Sequence, residues 1–153
     1  MSDVISAAGS FGSPAAGPLD TRRELLKSLG DSKRYPEALI VAEGLLAENS
    51  DDAMLHRDHA DLLRRCGRLD EALAALDRAE ALSENLPGLD ARRGLLLIEA
   101  GRMDEAETML RRSIGRGRDL GRCYYRLALA GRTSDADADA IALGTAEARR
   151  HDV

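Results

Sequence analysis

Gly67 to Ala79 reads GRLDEALAALDRA, and the chain says nearly the same thing thirty-four residues to either side. Upstream, Lys33 to Leu45 reads KRYPEALIVAEGL; downstream, Gly101 to Ser113 reads GRMDEAETMLRRS. The small residue after the glutamate recurs as Ala38, Ala72 and Ala106, and the bulky residue three places earlier as Tyr35, Leu69 and Met103. Three copies in one phase, without an insertion, are the mark of a helical solenoid.

Working outward from that stretch, the copies run 19–52, 53–86 and 87–120. Each divides into two apolar-periodic segments of helical length. In the middle copy Leu55, His59, Leu62, Leu63 and Cys66 recur at three and four on the first helix, and Ala72, Leu73, Leu76, Ala79 and Leu82 on the second. Asp70 and Asp104 stand where an N-cap is expected, Glu107 adds a capping-box spacing, and Pro36 suits a first helical position.

These residues resemble the tetratricopeptide repeat family. The resemblance rests on Leu26, Ala60 and Gly94 in the first helices, on the GR-Leu/Met-DEA turn, and on Ala42, Leu76 and Leu110 in the second helices. It departs where the family's opening aromatic is replaced by Arg22, His56 and Asp90, and where its closing proline is replaced by Ser50, Glu84 and Arg118. The resemblance implies an all-α, right-handed helical-hairpin solenoid of three units, with 121–153 as a degenerate fourth pair capping the C-terminal end. It also implies a concave face lined by the first helices. On that face the expected contacts are Arg23, Lys27 and Asp31, then Arg57, Asp61, Arg64 and Arg65, then Ala91, Arg92, Leu95, Ile98 and Glu99, with Tyr125 and Arg126 extending it. The groove of chaperone-binding relatives needs asparagines where Lys27 and Asp58 stand, so a chaperone-type carboxylate clamp is not expected.

Composition agrees with this architecture. Of 153 residues, 44% are apolar but only Phe11, Tyr35, Tyr124 and Tyr125 are aromatic, so the core must be leucine and alanine. The net charge of −5 speaks against nucleic-acid binding. Two cysteines are too few for a disulfide framework, and no apolar run approaches a membrane span. MSDVISAAG lacks the basic start and apolar centre of a secretion signal, which leads to a cytoplasmic expectation. Twenty arginines beside Lys27 and Lys33 suggest a GC-rich bacterial genome.

Residues 1–18 are mostly Ser, Ala, Gly and Pro, with Val4, Ile5 and Phe11 as large apolar groups; they read as a floppy tail or as a docking peptide. Between Arg111 and Arg132 seven arginines face one acid, read either as a solvated helix end or as a patch for an acidic partner. Gly115, Gly117 and Gly121 are expected to end the sixth helix near Ile114, and Ser134 to cap a last helix running to about Arg150. His56 and His59 lie three apart but lack the further ligands of a metal site. No nucleophile elbow or phosphate loop is present, so neither catalysis nor a cofactor is expected.

The functional expectation is a non-catalytic adaptor holding a peptide or helix of a partner protein, with acidic residues and an apolar anchor in that partner. The alternatives are a head-to-tail self-assembling scaffold and an accessory subunit of an enzyme complex.

Overall fold

The computed structural model describes residues 18–118, 120–138 and 141. Among them are seven α-helices and no strand: α1 (Leu19–Asp31), α2 (Tyr35–Glu48), α3 (Ala53–Arg65), α4 (Leu69–Leu82), α5 (Leu89–Glu99), α6 (Met103–Gly115) and α7 (Leu120–Leu129). A short 3-10 turn follows at Asp135–Asp137. Each helix packs on the one before and the one after, and α5 also meets two other first helices, α3 and α7. The expected tail anchors Val4, Ile5 and Phe11, and the run of a last helix to Arg150, lie outside the described residues.

One turn is used five times. The backbone N–H groups of Arg34, Arg68, Arg102, Arg118 and Arg132 donate to carbonyls five residues earlier, at Leu29, Leu63, Leu97, Ser113 and Leu127, over 2.8–3.0 Å. The preceding residue is left-handed in each case: Lys33 (φ 58°), then Gly67, Gly101, Gly117 and Gly131. This is a Schellman cap, which satisfies the last carbonyls of one helix. In the first three copies the same arginine's carbonyl accepts from Ala38, Ala72 or Ala106, so it also opens the next helix.

That double duty corrects the capping expectation. The N-caps of α2, α4 and α6 are Arg34, Arg68 and Arg102, and none has a side-chain cap bond. Asp70 and Asp104 sit at the second helical position, where their charge still suits the positive helix end. Pro36 is likewise second, after Tyr35. Instead of a capping box, each arginine forks onto the glutamate three residues on: Arg34–Glu37, Arg68–Glu71 and Arg102–Glu105. Glu107, expected in a capping box, pairs with Arg111 at 2.8 Å. A side-chain cap does occur at Asp52, which accepts from the Leu55 N–H at 2.9 Å.

The interior is leucine and alanine, as composition requires. Leu29, Ala38, Val41, Leu45, Leu63, Ala72, Leu76 and Ala79 belong to one cluster spanning α1 to α5. Ala91, Leu110, Cys123 and Leu127 form a second that seats α7. Each fully buried leucine stabilises the fold by about 2 kcal/mol. In the third pair Gly94 leaves room for Leu110: an added Cβ would stand 2.5 Å from Leu110 Cδ2. The corresponding positions hold Leu26 and Ala42 in the first pair and Ala60 and Leu76 in the second, so large and small change places between the first copy and the next two.

The position of the missing family aromatic is occupied by polar bridges. Arg22, buried on α1, forks onto Glu48 at the end of α2 with contacts of 2.9 and 2.5 Å. His56 Nε2 lies 2.8 Å from the Ser50 carbonyl. Buried Asp90 faces Arg116 at 3.8 Å.

Candidate interaction face

Helices α1, α3, α5 and α7 carry the residues expected to contact a partner, and the structure divides them into two halves. Between α1 and α3 lies a cleft of about 490 Å³ lined by Arg23, Lys27, Asp31, Asp52, Asp58 and Asp61 around a floor of Leu26, Met54, Leu55 and Leu62. Met54 is more than half exposed. Some of these charges are already paired: Arg23 meets Asp52 at 2.9 Å, and Asp58 meets neighbouring Arg57 at 2.9 Å.

Two ion pairs tie α3 to α5, Arg92–Asp61 at 2.8 Å and Arg64–Glu99 at 2.7 Å. They run in opposite senses, one arginine on each helix. Arg92 also donates to the Gly88 carbonyl at 3.3 Å. Arg65, expected on this face, instead lies over the Tyr35 ring with its guanidinium 5.6 Å from the centroid, a cation–π contact. Ala91 is buried under α7 and belongs to the core.

Beyond this belt the face changes character. Leu95 and Ile98 are half-buried on α5, with Ile98 resting on the α5–α7 cluster. Tyr125 and Leu129 on α7 are 52% and 65% exposed. Arg126 is half-buried and donates through Nη1 to the Ala91 carbonyl. Burial pushes its guanidinium down from the usual arginine value, and Arg122, Arg64 and Arg92 push the same way. Sequence reasoning missed Leu129, and counted Arg122 in the basic 111–132 stretch without placing it on this face. Leu129 stands thirty-four residues after Leu95, so extending the register by one copy finds it.

The other arginines of the 111–132 stretch do not converge on this face. Arg111 binds Glu107 and Asp137, Arg132 binds Asp104 at 2.9 Å, and Arg118 donates to Asn85 at 2.8 Å. Arg112, Arg116 and Arg118 line a cleft of about 830 Å³ opposite Asp77, Glu80 and Glu84, where the charges balance. His56 and His59 do not join a metal site: among the described residues no group of three His, Cys, Asp or Glu side chains converges. No described helix is long and apolar enough to cross a membrane.

With this geometry the chain has the fold of tetratricopeptide-type helical-hairpin solenoids. Its 20% identical match to MamA (residues 41 to the end) of Desulfovibrio magneticus RS-1 has a TM-score of 0.66 and covers 78% of this chain and 65% of that one. The type III secretion translocator chaperone SycD of Yersinia enterocolitica matches at 14% identity and a TM-score of 0.59, covering 84% of this chain and 85% of SycD. The TPR2B domain of yeast Sti1, solved in a complex with pHsp70, matches at 15% identity and a TM-score of 0.58, over 89% of this chain and 99% of that one. No family model and no curated protein matches the sequence.

Proposed function

We propose that this chain is a non-catalytic adaptor of the cytoplasm that holds a segment of a partner protein along the α1–α3–α5–α7 face. One observation carries the reading: Met54, Tyr125 and Leu129 lie exposed on first helices, where they add little to the core. Large apolar groups on the lining helices of a stacked array are what a binding surface requires. The similarity to Sti1 TPR2B, solved in a complex with pHsp70, and to SycD, a translocator chaperone, supports the same reading.

The test is capture of partners from the native source by the full chain, with Tyr125→Asp and Met54→Asp as controls. Partners held by the wild type are expected to be lost from at least one variant whose circular dichroism is unchanged. Capture indifferent to both substitutions overturns the proposal. A second reading, self-assembly, draws on Leu19 and Ile40, which lie exposed on the first helix pair. Light scattering on the full chain and on a Leu19→Asp/Ile40→Asp variant separates the two, since only assembly through these residues predicts a fall from oligomer to monomer mass.

A further inference from the structure

Among the described residues, the α5–α7 half of the face carries more guanidiniums than carboxylates. Four guanidiniums, Arg64, Arg92, Arg122 and Arg126, gather there, while Asp61 and Glu99 supply the carboxylates that meet two of them. Arg126 has a neutral carbonyl as its acceptor, and Arg122, one turn earlier on α7, makes no ion pair among the described residues. A half-buried guanidinium without a counter-charge is a cost that an incoming carboxylate relieves. Arginine forks take carboxylates in two-point contacts, and these strengthen where water is partly excluded. Tyr125 and Leu129 lie on the same helix within a turn of these arginines, so charge and apolar surface adjoin.

We propose that the occupant of this half is an acidic peptide segment, its carboxylates entering between Arg92, Arg122 and Arg126 and an adjoining apolar side chain lying along Tyr125 and Leu129. This deepens the adaptor reading and rests on it. The chain's overall charge of −5 disfavours a long polyanion such as nucleic acid, whereas a short segment with two or three acids meets only the local excess. In the α1–α3 cleft, by contrast, Asp31, Asp52, Asp58 and Asp61 outnumber Arg23 and Lys27, so the acids of the occupant are expected at the α7 end.

Panning phage-displayed random dodecapeptides on the full chain tests this without assuming a partner. Selected peptides are expected to be rich in Asp and Glu beside Leu or Phe. By fluorescence anisotropy, the best of them should bind Arg122→Glu roughly tenfold more weakly than wild type, and Arg122→Gln by less. Its Asn/Gln analogue should weaken comparably, and raising the salt should weaken the acidic peptide more than the analogue. Selected peptides without acidic residues, or equal binding by wild type and Arg122→Glu, overturn the inference. If such peptides are still lost on Tyr125→Asp, the adaptor reading stands while this one falls. Selection of no peptide above background overturns both. The Arg122 side chain is exposed and bonds to no described residue, so unchanged circular dichroism is expected for both of its variants.

Discussion

The first helix pair and the third are built on one plan and solve it with opposite residues. Where α1 and α2 place Leu26 and Ala42, α5 and α6 place Gly94 and Leu110. Where the first turn holds Lys33 in a left-handed backbone, the third holds Gly101. At the position after the missing aromatic's turn, Leu25 in the first pair becomes His59 in the second and Arg93 in the third, where Arg93 bridges Asp77 and Glu80 at 2.5 and 3.0 Å. The lesson is that the solenoid conserves volume and turn geometry from copy to copy but not chemistry. What differs between copies is therefore where surface function is free to reside.

The most forceful way to break this comparison is to put the first pair's residue into the third. Gly94→Leu drives a side chain into fully buried Leu110 and should cost about 3 kcal/mol in urea unfolding. Adding Leu110→Ala recreates the Leu26/Ala42 arrangement and should recover more than half of the loss. No recovery would mean that the two pairs are not interchangeable in volume. A smaller effect is expected at the turns. Lys33→Gly removes the left-handed strain of an exposed residue and should stabilise the chain by about 1 kcal/mol, while Gly101→Lys should do the reverse. Equal unfolding midpoints for wild type and Lys33→Gly would refute the strain.

The mildest effect concerns His59, the titratable member of its trio. Its Nε2 is buried without a hydrogen bond, 3.8 Å from Glu43 Oε1, with Arg68 and His56 also near. Burial pushes the imidazole down from its ordinary value, against the pull of Glu43. The unfolded chain thus takes up the proton first, near pH 6.5, and stability should fall as pH drops from about 7.5 to 5.5. His59→Gln should flatten that slope in thermal melts; an unchanged slope would remove His59 from the account.

Helix positions were legible because the apolar period and the thirty-four-residue phase both depend on local spacing. Partner choice was not. Asp61–Arg92 and Arg64–Glu99 join residues on different hairpins, and only the packing of α3 on α5 decides that these meet. The N-caps were misplaced because a single arginine closes one helix and opens the next, which leaves no residue between them for an aspartate to occupy. Ala91 looked like groove because its place in the period matched Arg57, but the shorter α7 folds down on it. Leu129, by contrast, was within reach of the register and was passed over, while Arg122 was read as part of a basic stretch and not as part of this face.

The scarcity of aromatics has a practical side. The chain has no tryptophan and one phenylalanine, so its three tyrosines dominate the ultraviolet emission. Tyr35 lies beneath Arg65 near the N-terminal end, and Tyr124 and Tyr125 share α7 at the other. The molecule carries its own optical labels, two of them on the helix where the excess positive charge lies.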